Sequence, residues 1–140
     1  MCLPPSVVIH GIADARTALE AGLPVTLLSA PDAALFAGCA FWHALVAQAK
    51  AEHPDVTAPD ILDCGDAAGH ALAALRLGQR ILILAEGTPG GAAVAAIASA
   101  SGATVLAARP SALDLAQRGA ARRLRAWLRH TPDDSGPVLR

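Results

Sequence analysis

A doubly wound α/β sandwich on a five-stranded parallel sheet is the fold this chain predicts, and two observations carry it. Five short apolar runs, each closing on a polar residue or glycine, alternate with alanine-rich helical stretches, the pattern of successive βα units. The 140 residues also hold enough chain for one core without disulfides or metal. Residues 1–140 read as a single domain, with a loose Pro-, Gly- and Asp-rich tail at 131–140.

The first run, Val7-Val8-Ile9-His10, leads into a helix capped by Asp14 and stopped at Gly22. The second, Val25 to Ser29, leads to a long helix over 32–52, capped by Asp32 and ended by His53-Pro54. Ile61-Leu62-Asp63-Cys64 forms the third strand, followed by a helix from Asp66 to Leu77. The fourth run, Ile81 to Glu86, breaks at Gly87; Thr88 as N-cap and Pro89 at the first helical position start the next helix. Thr104 to Arg109 is the fifth strand, and Ser111-x-x-Asp114 reads as the capping box of the last helix.

Strands buried on both faces are continuously apolar. By that measure strands one and four are central, while strand three, with only Ile61-Leu62 between Asp60 and Asp63, is an edge. The expected order is 3-2-1-4-5, with 2-1-3-4-5 as the alternative.

Composition narrows the setting. Alanine makes up about a quarter of the chain, one lysine stands against ten arginines, and asparagine and tyrosine are absent. That is the usage of a GC-rich bacterial genome, so the identity of the cations carries no functional message. Mean hydropathy is high at +0.43, yet no apolar stretch reaches the roughly 20 residues of a membrane span. A formal charge of −1 gives no overall footprint for nucleic acid. Three cysteines without a CxxC, and an N-terminus unlike a signal peptide, fit a cytoplasmic protein.

Open α/β sheets bind ligands beyond the carboxyl ends of their strands, where the strand order reverses. In the 3-2-1-4-5 order that crevice lies between strands one and four. His10 and Gly11 would line one side and Glu86, Gly87, Thr88, Gly90 and Gly91 the other, with Ser29 and Arg109 on neighbouring strand ends. A glycine-rich turn at a helix start suits an anion, although it matches neither GxGxxG nor a P-loop and also reads as an ordinary helix start. His10 or Glu86 could serve as an acid/base. Cys64 lies before a helix start, but His70 stands six residues on, where phosphatases of the Cys-x5-Arg type carry arginine. Asp66 and His70 read as a local ion pair, and no standard metal-ligand spacing is present.

Two helices suggest partners. In the second, Leu35, Cys39, Trp42, Val46 and Ala49 form the core stripe, leaving Phe36, Phe41 and Leu45 for a homodimer or other homo-oligomer interface. In the last, Leu113, Ala116, Ala120, Leu124, Trp127 and Leu128 face the core. Arg118, Arg122, Arg125 and Arg129 fall opposite, as a solvated face or a surface for an anionic partner.

Over residues 6–130 the layout resembles small stand-alone domains of the flavodoxin-like or Rossmann-like kind. It lacks their acidic pair after the first strand and their hydroxyl-rich flavin loop. The wording Pro24-Val25-Thr26-Leu27-Leu28-Ser29-Ala30-Pro31 resembles small bacterial α/β proteins, a resemblance that implies no activity. The leading reading is binding of a small anionic metabolite or nucleotide at the strand-one/strand-four crevice. The others are a small enzyme using His10 or Glu86, and an interaction module acting through helix 32–52.

Overall fold

The computed structural model of the chain describes residues 2–130; the tail at 131–140 lies outside them. Six strands and six helices succeed one another: β1 (Ser6–Val8), α1 (Ile12–Glu20), β2 (Thr26–Leu28), α2 (Ala33–Phe36), α3 (Cys39–Glu52), β3 (Asp60–Asp63), α4 (Ala68–Arg76), β4 (Ile81–Ile83), α5 (Gly91–Ser101), β5 (Thr104–Leu106), β6 (Ala112–Asp114) and α6 (Ala120–Arg129). The parallel α/β class is as expected; the sheet is not. It has six strands in the order β5-β4-β3-β2-β1-β6, every pairing parallel.

This order replaces both candidate orders. From β1 to β5 each strand is added on the same side of the last, so right-handed crossovers put their helices on one face. The two-sided cover of a doubly wound sandwich is therefore not built. Strand three lies inside the sheet, between β2 and β4, and its flanking acids have protein partners. Asp60 accepts hydrogen bonds from Trp42 Nε1 (3.0 Å), Lys50 Nζ (2.7 Å) and Gln79 Nε2 (2.9 Å).

The link from β5 to β6 shows how the sheet is shaped. In a flat sheet these two edges stand five strand spacings apart, about 24 Å. Six Cα steps from Leu106 to Ala112 reach no more than ~22 Å, and the chain must also return along the strand direction. The sheet must curl toward closure, leaving β5 and β6 as an unpaired seam. Alternation along the strands then sorts the side chains. Val7, Leu27, Leu62, Leu82, Val105 and Leu113 pack outward under the helices, whereas Val8, Leu28, Ile61, Ile81, Ile83 and Leu106 gather with Leu3 on the inner face. Leu28 and Ile61 are fully buried there, although no helix contributes to that cluster.

Several local expectations are corrected by the backbone. The helix expected over 32–52 is broken at Gly38, whose φ of 86° ends one short helix and starts the next. Leu35 is consequently exposed rather than in the core. Asp32 and Asp66 make no cap hydrogen bond at their helices. Thr88 donates to Ala85 O instead of capping, and Gly90 (φ 83°) is the residue before α5. Ser111 runs directly into β6 (Ala112–Asp114), so the capping-box reading fails and α6 begins after Gly119. No helix among the described residues is long and apolar enough to cross a membrane.

Candidate functional site

Strand parity decides which polar residues meet. His10 follows Val8 by two, Asp63 follows Ile61 by two, and Asp114 follows Ala112 by two, so all three project from the carboxyl end of the sheet toward its inner face. Asp63 side-chain exposure is 6% and that of Arg109 is 27%. Arg109 donates from one terminal nitrogen to Asp63 Oδ2 (2.7 Å) and from the other to Ser29 O (3.0 Å). Asp63 Oδ1 accepts the Gly65 N–H at 2.8 Å, and Ser29 Oγ accepts the Asp63 N–H at 2.9 Å. Arg109, Asp63, Ser29 and Gly65, four residues at the ends of β2, β3 and β5, are thus tied into one network.

The second cluster joins β1 to β6. His10 Nε2 and Asp114 Oδ1 are 2.7 Å apart. Burial pushes the Asp114 carboxyl up, but the Ala116 N–H, the His10 ring and the charges of His10 and Arg109 outweigh it and hold the group below its ordinary value. Ionised Asp114 can only accept, so Nε2 carries the hydrogen of this contact and the other ring nitrogen, Nδ1, is not engaged by Asp114. The His10 N–H is itself held by Asp14 Oδ2 at 2.9 Å. This pair stands at the carboxyl ends of the neighbouring parallel strands β1 and β6. Parallel α/β sheets, open or closed, take ligands at the carboxyl ends of their strands.

Beside it lies a cleft of about 160 Å³ between the ends of β1 and β2 and the helices α2 and α3. His10, Gly11 and Ser29 form its polar end; Phe36, Phe41 and Trp42 form its apolar wall. Of the expected site residues, His10, Gly11 and Ser29 therefore come together, and Arg109 reaches the same strand ends through Ser29. The other side of the expected crevice does not. Glu86, Gly87, Thr88, Gly90 and Gly91 follow β4, three strands from β1, and are absent from the cleft wall. No strand reversal separates β1 from β4, which is why the strand-one/strand-four crevice is not formed.

Cys64 falls on the opposite parity from Asp63, under the helices and fully buried. Desolvation, with help from the Asp63 and Cys39 charges, pushes its thiol up to about 12. A thiol so placed is neutral and shielded, the reverse of an activated nucleophile. Asp66 and His70 are exposed and make no ion pair with each other. Asp63 and Asp114 are the residues that sequence reasoning left out of the site. Strand parity carried a signal for Asp63; Asp114 was hidden by its resemblance to a helix cap.

Fold and strand ends together define an α/β protein with a curled parallel sheet and a polar, part-buried cluster at its carboxyl end. No protein-family model matches the chain, and no curated protein matches it.

Proposed function

We propose that this protein binds a small anionic metabolite at the carboxyl ends of β1 and β2, where His10 exchanges a proton with the bound molecule. The observation that carries the reading is the 2.7 Å contact between His10 Nε2 and Asp114 at the rim of an apolar cleft. A carboxylate behind one ring nitrogen fixes the tautomer and orientation of the imidazole, leaving the other nitrogen for a ligand. Phe36, Phe41 and Trp42 would take the apolar part of the ligand; Arg109 lies at the neighbouring strand ends with its charge paired to Asp63. The leading sequence reading is kept in its ligand class and moved in place, from the β1/β4 gap to the β1/β2 and β1/β6 ends. His10, not Glu86, is the acid/base. The three free cysteines support a cytoplasmic setting.

The test is an amide-resolved NMR titration of the full chain with a panel of small carboxylates, phosphates and mononucleotides. Shifts confined to Gly11, Ala30 and the Phe36–Phe41 segment, reduced at least tenfold in affinity by His10→Ala, support the site. A panel that moves none of these amides, or binds His10→Ala equally well, removes it.

A second reading has its own observation. Phe36 is 85% exposed and Phe41 55%, with Leu35 at 40% beside them, an apolar patch of the kind that covers interfaces. A homo-oligomer would use Phe36 and Phe41. Leu45, expected with them, is instead buried in the core. Sedimentation of Phe36→Ser against the parent chain tests this: an unchanged mass overturns it.

A further inference from the structure

The net charge of −1 conceals a strong internal separation. Residues 1–114 carry ten acids against five cations, whereas residues 115–130 carry five arginines and no acid. Arg118, Arg122, Arg123, Arg125 and Arg129 are all exposed, and among the described residues none forms an ion pair. Compositional bias explains why these cations are arginine. It does not explain why half of the ten arginines fall within twelve residues.

Fold stability does not explain it either. Arg125 and Arg129 stand in the second half of α6, where cations complement the helix dipole, but Arg122 and Arg123 stand in its first turn, where they oppose it. Arg122, Arg125 and Arg129 also repeat at i, i+3 and i+7 on one face, so neighbouring like charges repel. The arrangement costs the isolated fold stability, and an anionic partner would offset that cost.

The exposed face selects the partner. Leu124 and Leu128 are buried in the core, and Trp127 is half-buried with its Nε1 donating to Ser6 O at 2.7 Å. What α6 shows to solvent is arginine, Ala121 and Ala126. No apolar side chain is left to enter a bilayer or to anchor a protein interface. The remaining chemistry is a row of guanidinium groups about one helical turn apart, suited to successive phosphates. The groove beside it, between α1 and α6, is lined by Arg122 and Arg125 and by one acid, Glu20. We propose that the arginine face of α6 binds the phosphate backbone of nucleic acid without base specificity, independently of the site at His10.

Fluorescence anisotropy of the full chain with a labelled DNA duplex, between 50 and 200 mM salt, tests this. Three to five phosphate contacts give a log–log salt slope of about −2.7 to −4.5, an affinity loss of roughly 40- to 500-fold over that range. Arg122→Gln/Arg125→Gln/Arg129→Gln should flatten the slope by two to three and weaken binding at least tenfold at 50 mM. Relief of like-charge repulsion should leave its Tm no lower than that of the parent, which separates lost binding from lost folding. No binding at 50 mM, or a slope unchanged in the triple variant, overturns the proposal. Equal or tighter binding to polyglutamate or to phosphatidylglycerol vesicles overturns it as well.

Discussion

Arg109 spans the carboxyl end of the sheet to reach Asp63, at 2.7 Å, although β4 lies between their strands. Its other terminal nitrogen goes one strand further, to Ser29 O. The guanidinium therefore ties one side of the unpaired β5/β6 seam to strands two and three places away. It holds the curled sheet where backbone pairing is missing, and it neutralises a carboxylate that is almost fully buried.

Removing that cation should cost far more than a surface ion pair. Arg109→Ala leaves the Asp63 charge buried without its partner, and the expected loss is about 3 kcal/mol. Asp63→Asn with Arg109→Met removes both charges and should recover more than half of it, because the Gly65 N–H still finds an oxygen. Urea unfolding of the single and double variants gives the comparison. A loss below 1 kcal/mol for Arg109→Ala would show the bridge to be solvated rather than structural.

The first four βα beats were legible because each strand core and each alanine-rich helix carries its own local pattern; the fifth strand leads into β6 rather than a helix. Strand order was not. Ranking strands by apolar content assumes that an acid marks an edge, yet Asp60 and Asp63 lie on an interior strand and are satisfied by Trp42, Lys50, Gln79 and Arg109. Those partners are 10 to 46 residues away in sequence. β6 was missed for a related reason: three residues with a serine before them and an aspartate at their end imitate a helix start. His10, Ser29 and Arg109 could be placed at the strand ends regardless of order, since any parallel sheet collects its strand ends on one side.

Acid should reveal the His10–Asp114 contact. The Asp114 carboxyl is held below its ordinary value in the folded chain. A depressed folded value means that the stabilisation is complete above the unfolded value, ordinarily near 3.8, and is lost as pH falls through the folded one. The stability advantage of the parent over Asp114→Asn should thus shrink as pH falls from about 5 to 3. Urea midpoints of both proteins across pH 3–5 check it; an advantage that grows over that interval contradicts the assignment.

Gly65 and Asp32 should show strong coupling. Gly65 adopts φ +57°, and a Cβ there would collide with the Asp32 carboxylate. Gly65→Ala is expected to cost about 2–3 kcal/mol in the parent, combining αL strain with the clash. In an Asp32→Gly background the clash is gone and about 1 kcal/mol of strain should remain. A double-mutant cycle reads the difference directly. Equal costs in both backgrounds would mean that the loop relaxes around the added methyl.

Cys64 should behave as a buried thiol in two independent measurements. Its folded value is pushed up to about 12, chiefly by desolvation, against an ordinary 9.0. A raised folded value favours the protonated form, so stability is complete below pH 9 and declines as the unfolded thiol ionises above it. Relative to Cys64→Ala, the parent should therefore lose stability between pH 9 and 10.5. At pH 8 a thiol reagent should modify exposed Cys2 rapidly and Cys64 only at the rate of unfolding, with half-buried Cys39 between them. Peptide mapping after timed alkylation separates the three. Rapid labelling of Cys64 in native protein would place it at the surface and reopen a nucleophilic role that burial under the helices otherwise closes.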